Sequence, residues 1–285
     1  MHVIIIGSGP AGVSAALYAR RGGADVTVIS KGGGGLADAE IVENYYGFDE
    51  PITGAELERR GIAGAKRLGV VLETDEVMAV VPTDGGFGIE GVRKKYAGDA
   101  VILAAGAPRR TISVPGLKEF AGRGVSSCAI CDAFFYRGKR VAVIGAGDYA
   151  LHEAEILRPH AAQVSMLTHG AEISAVFPDD VVVHTGKIAR IEGDRRVQRI
   201  VFANESQMDV DGVFLAVGTP SGSELARKLG VLLDDGKVAV GAQMETNVPG
   251  IYAAGDCTGG LLQVAKAVYE GAVAGLAAVG YLRQR

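Results

Sequence analysis

Two cysteines stand two residues apart in the segment Cys128-Ala129-Ile130-Cys131-Asp132. A C-x-x-C pair can close into an easily reduced disulfide, and it typically lowers the thiolate pKa of at least one sulfur. Asp132 follows directly, where its carboxylate can carry a proton to or from a sulfur during exchange. Ser126 and Ser127 precede the pair, so a helix is expected to begin here with its positive end towards Cys128. The segment therefore predicts a redox-active dithiol, with Cys128, Cys131 and Asp132 as catalytic residues.

Two other interpretations of the cysteine pair stay open, namely half of a zinc site or two unrelated buried thiols. Structural zinc takes four ligands, and the chain has neither a second C-x-x-C nor an H-x₃-H. We therefore predict a redox pair and no metal site. The third cysteine, Cys257, is expected to be a small buried residue.

Length, charge and composition exclude several functional classes. The chain has 285 residues, enough for two ordinary domains or one large one, and its net charge of -4 argues against a nucleic-acid-binding surface. No apolar run reaches the roughly 18 residues of a membrane-spanning helix. We expect no signal peptide, since Met1-His2 leads directly into a strand. The few cysteines suit a reducing compartment, so a cytoplasmic location without membrane or nucleic-acid partners is expected.

A dinucleotide-binding fingerprint begins the chain. An apolar strand, Val3-Ile4-Ile5-Ile6, leads into Gly7-Ser8-Gly9-Pro10-Ala11-Gly12, then a helix and a second strand that ends at Ser30. This G-x-G-x-x-G stands in the strand–helix–strand frame that makes the motif specific. Gly7 permits a tight turn, Gly9 lets the backbone approach a pyrophosphate, and the helix N-terminus attracts its charge. The acid expected at the ribose is replaced by Ser30, whose hydroxyl can also meet a ribose.

A second fingerprint follows the cysteine pair. A strand over 140–144 leads into Gly145-Ala146-Gly147-Asp148-Tyr149-Ala150, a G-x-G-x-x-A motif, then a helix and a strand over 163–167. We therefore predict an α/β fold with two Rossmann-like dinucleotide-binding units, the dithiol standing at the start of the second. Two such units and a C-x-x-C suggest a relay, with a flavin on one unit, a reductant site or its remnant on the other, and a disulfide between.

The chain between the fingerprints is predicted to hold one helix and several short strands. Helical spacing runs from Ile52 to Leu68, with Thr53 as the cap. Short antiparallel strands are expected around 70–72, 77–81, 87–89 and 95–96. A buried strand from Ala100 then runs into Gly106.

Together these motifs resemble the low-molecular-weight thioredoxin reductase family of flavoproteins over nearly the whole chain. The resemblance implies FAD on the first unit, with Asp256 bonding the ribityl chain. It also implies a C-terminal helix, from about Leu262, whose N-terminus points at the isoalloxazine and stabilises a reduced flavin. The motifs that carry the resemblance are 7–12, Val42-Glu43-Asn44, Ala104-Ala105-Gly106-Ala107, 124–136 and 246–258. The cofactor-binding residues expected on this basis are Gly7, Gly9, Pro10, Ala11, Gly12, Ser30, Asn44, Ala105, Gly106, Gly255, Asp256, Gln263 and Val264.

The resemblance also implies the order of the domains. Residues 1–111 and 245–285 would form the FAD-binding domain, and residues 112–244 an inserted NAD(P)-binding-like domain, with crossings near Thr111 and Met244. Each domain would include a small antiparallel sheet. Family members are thought to rotate the inserted domain, so that the dithiol alternates between the flavin and thioredoxin. A homodimer is expected on the same basis.

The electron donor is where this sequence departs from the family. NADPH-dependent members carry a His-Arg-Arg stretch that grips the 2′-phosphate, whereas the corresponding segment here, Thr168 to Ser174, has no arginine and one histidine. No acid ends the preceding strand, and the connection from Thr168 to Asp180 is short for the helix usual there. NADPH is therefore doubtful. Gly145, Gly147 and Ala150 are read as a possible vestigial nucleotide site.

Three functions follow. The first is a thioredoxin-disulfide reductase whose flavin takes electrons from ferredoxin or flavodoxin, as in the pyridine-nucleotide-independent branch of the family. The second is an NADPH-dependent thioredoxin reductase with an atypical nucleotide site. The third is a flavin dithiol oxidase that passes electrons from a small dithiol to oxygen. A non-enzymatic flavin- or zinc-binding regulator is the alternative from another class.

Overall fold

A computed structural model describes residues 1–32, 34–106 and 112–285. The chain divides into two compact units, Met1–Pro108 with Pro220–Arg285, and Arg109–Thr219. Each unit is built on its own five-stranded parallel sheet.

The helices and strands follow in chain order. Up to residue 106 they are β1 (His2–Ile6), α1 (Pro10–Arg21), β2 (Asp25–Ser30), α2 (Gly54–Arg67), β3 (Val71–Thr74), β4 (Val77–Thr83), β5 (Gly86–Gly91), β6 (Lys95–Gly98) and β7 (Ala100–Leu103). From 112 to 219 they are β8 (Val125–Ser126), α3 (Ala129–Asp132), a 3₁₀ turn (Ala133–Tyr136), β9 (Arg140–Ile144), α4 (Asp148–Leu157), β10 (Gln163–Leu167), β11 (Val182–His184), β12 (Ile188–Gly193), β13 (Val197–Phe202), β14 (Gln207–Asp209) and β15 (Gly212–Leu215). After 219 they are α5 (Gly222–Lys228), β16 (Leu233–Asp234), β17 (Lys237–Val238), β18 (Ile251–Ala253), a 3₁₀ turn (Asp256–Thr258) and α6 (Val264–Arg283).

The sheet of the first unit has the order β18-β7-β1-β2-β3. Its central strand β1 is apolar on both faces, as a parallel strand covered on both sides requires. Val3 and Ile5 share one buried cluster with residues of α1 and α6. Ile4 and Ile6 share the other with residues of β4, β5 and α5. The sheet is therefore sandwiched between a helical layer and a layer that contains the antiparallel sheet β4-β5-β6.

The sheet of the second unit has the order β11-β10-β9-β15-β8. Ala142 and Ile144 of β9 pack in one buried cluster with Phe120 and with apolar residues of β12 and β13. These last strands belong to the antiparallel sheet β12-β13-β14. Both units thus repeat one plan, and the predicted α/β fold with two Rossmann-like units is confirmed.

Local sequence patterns correctly predicted most helices and strands of the first unit. Thr53 caps α2, since its hydroxyl accepts a hydrogen bond from the Glu56 N–H at 3.2 Å, as expected. The expectation of an antiparallel strand around 70–72 is wrong, because β3 extends the main sheet parallel to β2. Its position after α2 explains this, since a strand that returns from a crossover helix pairs in parallel with its predecessor.

The second crossing between the units lies earlier than the sequence suggested. The expected position was near Met244, whereas the first unit resumes at Pro220. Residues 220–244 belong there because Leu225, Val231 and Val238 fill the buried cluster beneath β4 and β5. The first crossing, near Thr111, and Ala107 lie outside the described residues.

Two properties of the described ranges bear on membrane and metal binding. No helix in them is long and apolar enough to cross a bilayer. Nor do these ranges contain a group of three or more His, Cys, Asp or Glu side chains placed to hold a metal ion.

Candidate active site

The first fingerprint lies at the carboxyl edge of the first sheet. Gly7 follows β1, Ser30 is the last residue of β2, and Ala105 and Gly255 lie two residues beyond the ends of β7 and β18. These four strands are neighbours. Ligands of parallel α/β sheets bind at this edge. The structure therefore brings together residues that the sequence placed at a cofactor from four separate segments.

Glycine is required at two positions of this loop. Gly7 has a positive φ of 111°, and a Cβ there would lie 2.3 Å from the carbonyl oxygen of Ala104. A Cβ at Gly12 would lie 1.9 Å from the carbonyl oxygen of Gly7. At Gly9, by contrast, a Cβ would meet no atom of the described residues within 4 Å. The loop is therefore closely packed against neighbouring backbone at Gly7 and Gly12 and open at Gly9.

This open loop fits the pyrophosphate of FAD. Helix α1 begins at Pro10, directly after Gly9, and no side chain caps it. Proline is suited to this position because it has no N–H to satisfy. The remaining amides of the first turn are the donors that bind phosphate in dinucleotide folds. Hence Gly9, Ala11 and Gly12 would hold the pyrophosphate.

The end of β2 carries a hydroxyl pair instead of the acid common at the ribose. The Ser8 hydroxyl donates to Ser30 Oγ at 2.9 Å. Beside it, Lys31 forms an ion pair with Glu76, whose side chain is buried. Glu76 therefore supplies a carboxylate near this strand end, and it was not predicted from the sequence because it follows β3 rather than β2.

The start of α6 is joined to the distant Asn44. Asn44 Nδ2 donates to Gln263 Oε1 at 3.0 Å. Gln263 immediately precedes the helix, whose N-terminus has no side-chain cap. The two residues were assigned to the cofactor from separate motifs, and the structure brings them into contact.

A lysine and a glutamate of α6 hold the loop that contains Asp256. Lys266 Nζ donates to the Gly255 carbonyl at 2.8 Å, to Thr258 Oγ1 at 2.8 Å and to the Gly259 carbonyl at 2.5 Å. Glu270 Oε2 accepts from the Gly255 N–H at 2.8 Å and lies 3.0 Å from Lys266 Nζ. We call Lys266 and Glu270 the loop clamp. It fixes the backbone on both sides of Asp256, the residue expected at the ribityl chain.

The cysteine pair lies at the carboxyl edge of the second sheet. Edge strand β8 delivers the chain to Cys128, which forms a disulfide with Cys131 at a Cα–Cα distance of 5.4 Å. Helix α3 begins between them, and the cap is Cys128 itself, whose Sγ accepts from the Cys131 N–H at 3.3 Å. Of the two serines expected to start this helix, Ser126 instead accepts from the Cys128 N–H at 3.1 Å.

The two sulfurs differ in exposure. Cys128 is 2% exposed, whereas Cys131 is exposed and Asp132 is partly buried. The rings that follow, Phe134 and Phe135, are 65% and 64% exposed and pack edge to face. An exposed cysteine beside an exposed apolar patch suits a macromolecular partner better than a small solute.

The buried carboxylate Glu153 contacts the cysteine segment from α4. It is 1% exposed, and its Oε2 accepts from the Ala129 N–H at 2.7 Å. Glu153 is not among the residues predicted from the sequence. A signal existed, because Glu153 stands in the helix stripe whose other members Tyr149, Ala150 and Leu157 are apolar and buried.

Cys257 is a buried thiol, as expected. Burial raises its pKa to about 12. Its Sγ lies 3.4 Å from the carbonyl oxygens of Leu103 and Ala254. A neutral, inaccessible thiol of this kind is chemically inert.

The second fingerprint lies between a strand and a helix, as predicted, but its loop is covered, unlike the loop of the first fingerprint. Gly145 and Gly147 connect β9 to α4, and Ala150 lies in the first turn of α4. The segment after β10 contains no helix and crosses this loop, where the Ser174 N–H donates to the Ala146 carbonyl at 2.9 Å. A Cβ at Gly147 would lie 3.0 Å from Ser174 Oγ. The position equivalent to the open Gly9 is therefore covered by the chain's own serine.

Known proteins resemble this chain along its length. The family model described as pyridine nucleotide-disulphide oxidoreductase matches residues 1–271. A thioredoxin reductase of Listeria monocytogenes is 35% identical over 300 residues, which cover 99% of this chain and 94% of that protein.

Solved structures agree with these sequence matches. The atypical thioredoxin reductase TRi of Desulfovibrio vulgaris Hildenborough has a TM-score of 0.93 and 38% identity, covering 99% of this chain and 98% of that one. A ferredoxin-flavin thioredoxin reductase of Clostridium acetobutylicum has a TM-score of 0.75 and 34% identity, covering 100% and 98%. The chain therefore belongs to the pyridine nucleotide-disulphide oxidoreductase family and, within it, to the low-molecular-weight, flavin-dependent thioredoxin reductases, which confirms the resemblance in its motifs.

Proposed function

We propose that this protein is a thioredoxin-disulfide reductase that binds FAD on its first unit and receives electrons from reduced ferredoxin or flavodoxin rather than from NADPH. Family membership supports the reductase activity. The observation that carries the choice of donor is Ser174, which covers Gly147 of the second fingerprint. The donor thus differs from that of an ordinary NADPH-dependent enzyme of the family.

The first unit supplies the residues that would hold FAD. When bound, FAD supplies a carrier that accepts electrons from a donor and passes two of them on to a disulfide. Gly9 and the first turn of α1 would bind its pyrophosphate, and Ser30 would meet its ribose. Asp256, held by the loop clamp, would bind the ribityl chain.

The second unit supplies the disulfide that would exchange with thioredoxin. Two electrons and two protons convert the Cys128–Cys131 disulfide to two thiols, and Asp132 would donate one of the protons. A thiolate of this pair then attacks the disulfide of thioredoxin. The mixed disulfide that forms is broken by the other cysteine, which leaves thioredoxin reduced and this protein oxidised.

The exposed rings of Phe134 and Phe135 support a protein as the substrate. They follow the redox pair by only a few residues, and Arg137 lies over the ring of Phe134 at 4.8 Å. Exposed aromatic and arginine side chains are the residue types enriched in protein–protein contacts. A thioredoxin that approaches Cys131 would meet this patch.

The second fingerprint supports a donor other than NADPH. A dinucleotide bound there would need its pyrophosphate close to Gly147, which Ser174 covers. No arginine lies between Thr168 and Ser174 to grip a 2′-phosphate. The relative with a ferredoxin-flavin name supplies a precedent for a protein donor in this fold.

The test is an anaerobic reduction of the FAD-loaded protein. NADPH, NADH and chemically reduced ferredoxin or flavodoxin are added in turn, and loss of the oxidised-flavin absorbance is followed together with the appearance of thioredoxin thiols. We expect reduced ferredoxin or flavodoxin to support both signals and the nicotinamides to support neither. The double variant C128S/C131S is the control, because it should keep donor-driven bleaching and lose thioredoxin reduction.

Each contrary result removes a different part of the proposal. Rapid bleaching by NADPH with thioredoxin turnover would reject the donor and keep the reductase. Oxygen consumption with a small dithiol and no turnover of thioredoxin would indicate an oxidase. A colourless protein that does not take up FAD would reject the proposal as a whole.

A further inference from the structure

The buried carboxylate Glu153 is hydrogen-bonded to the backbone directly after Cys128. The acceptor Oε2 lies 2.7 Å from the N–H of Ala129, the residue that follows Cys128. Removing the charge of a carboxylate from water is costly, so a carboxylate this deeply buried is held by partners. The Ala129 N–H is one of the partners of Glu153, which ties this carboxylate to the cysteine pair.

The carboxylate and the Cys128 sulfur accept hydrogen bonds from backbone N–H groups of the same short turn. Glu153 takes the Ala129 N–H, while Cys128 Sγ takes the Cys131 N–H at 3.3 Å. Both groups are buried, at 1% and 2% exposure. After reduction, a thiolate on Cys128 would place a second negative charge in this buried region. Like charges in such a place raise the pKa of one another.

Other charged and titratable groups belong to neighbouring elements, among them Tyr149 of α4, which is fully buried. Asp132 stands on α3 itself. Tyr136 belongs to the 3₁₀ turn, and Arg196 interacts with its hydroxyl. On α4, His152 Nδ1 lies 3.5 Å from Glu153 Oε1, so a protonated imidazole would partly offset the carboxylate. Cys131, by contrast, is exposed, where water stabilises a thiolate.

We propose that Glu153 is a positioning residue that keeps the reduced Cys128 sulfur protonated, so that the negative charge of the dithiol resides on Cys131. This inference rests on the dithiol chemistry of the proposed function. In thiol–thiolate form, reduction by two glutathiones balances as protein disulfide plus 2 GSH giving one protein thiol, one protein thiolate, one released proton and GSSG. Glu153 then determines which of the two protein sulfurs keeps its proton.

The test measures each thiol alone. In C131S the titration of Cys128 is followed by thiolate ultraviolet absorbance, with Glu153 intact and in C131S/E153Q. We expect the Cys128 pKa to fall by about one unit when the carboxylate becomes an amide, the order of a nearby like charge. The matched pair C128S and C128S/E153Q reports Cys131, whose pKa should move much less. Cys257 does not interfere, because its pKa lies at about 12.

A merely structural role makes a different prediction. If Glu153 only braces the turn, E153D, which keeps the charge and shortens the reach, should perturb the dithiol as much as E153Q. Our proposal expects E153D to leave the Cys128 pKa near its original value. H152Q in the C131S background shows how far the imidazole offsets the charge, and a fall of the Cys128 pKa in that variant would contradict the proposal.

The dithiol–disulfide equilibrium against glutathione gives a second readout. The E153Q change should shift this equilibrium towards the dithiol, by up to about tenfold for each unit that the pKa falls, and the shift should grow as the pH rises. An unchanged Cys128 pKa in C131S/E153Q, or a shift independent of pH, would overturn the proposal. These measurements need no thioredoxin and no electron donor, so they fail separately from the proposed function.

Should E153Q not fold, the single-cysteine variants with Glu153 intact still test the proposal. The Cys128 pKa measured in C131S should be higher than the Cys131 pKa measured in C128S, because only Cys128 is buried beside the carboxylate. Equal values, or a lower value for Cys128, would overturn the proposal.

Discussion

At the scale of single residues, the two sulfurs of the disulfide have different access to solvent. Cys131 is exposed and Cys128 is 2% exposed. After reduction with a phosphine, limiting iodoacetamide should alkylate Cys131 first and Cys128 several-fold more slowly, as peptide mass spectrometry would show. Preferential labelling of Cys128 would contradict the exposure described here.

We expect both cysteines to be required for turnover. C128S and C131S should each lower thioredoxin reduction by at least roughly 10³-fold, the order seen when a covalent nucleophile is lost, and both should retain FAD.

Asp132→Asn should slow the thiol steps by roughly 10²-fold, as expected for a general acid. Stopped-flow measurement of thioredoxin reduction tests these values. Full activity in D132N would assign the proton to another group.

We expect Cys257 to make the free energy of unfolding decrease at alkaline pH. Burial raises its pKa from 9.0 to about 12, so the thiol ionises in the unfolded chain before it ionises in the folded one. Its contribution is therefore complete below pH 9 and is lost as the pH rises from 9 towards 12. Urea unfolding under reducing conditions should show a steeper loss of stability over this range in the unsubstituted protein than in C257A. Parallel curves would show that Cys257 is not the cause.

At the scale of elements, the loop clamp couples α6 to the segment that contains Asp256. K266M would remove three hydrogen bonds and the cation that pairs with the buried Glu270, a loss of about 3 kcal/mol for a broken buried pair. We expect weaker FAD binding by fluorescence titration and a lower free energy of unfolding for the apoprotein.

A matched control separates this pair from an ordinary surface pair. Lys95 lies 3.6 Å from Glu90 and its side chain is 83% exposed. K95M should change the free energy of unfolding by less than about 1 kcal/mol and leave FAD binding unchanged. Equal effects of K266M and K95M would show that the clamp is energetically unimportant.

Elements were predictable where a local signal is strong. The capping residue Thr53, the glycine fingerprints and the run Val3–Ile6 each specify one structure on their own. The pairing of β3 was missed because a short apolar strand has the same pattern in a parallel and in an antiparallel sheet. The roles of Glu153 and Glu270 were missed because the backbone groups that they bind, at Ala129 and Gly255, are distant in sequence, so the helix pattern alone does not identify them.

At the scale of the whole molecule, the extent of each unit was only partly predictable. The fingerprints indicate two units, but the second crossing depends on where residues 220–244 pack. That segment holds a seven-residue helix and two strands of two residues, too short to show a period that assigns them to a core. Their apolar residues fill the first unit's cluster, and only the folded chain shows it.

The assignment of FAD to the first unit gives the last prediction, which hydrogen exchange tests. A ligand slows exchange through the local opening of the segments that it binds by a factor that approaches its concentration relative to Kd, about 100-fold at 100 times Kd. Adding FAD to the apoprotein should protect peptides that contain Gly9 and Asp256. It should leave the peptide with Gly147 unchanged, and NADPH should protect neither, because Ser174 already covers that loop. Protection of the Gly147 peptide by NADPH would restore a nucleotide site to the second unit, whereas protection there by FAD would reverse the assignment of the two units.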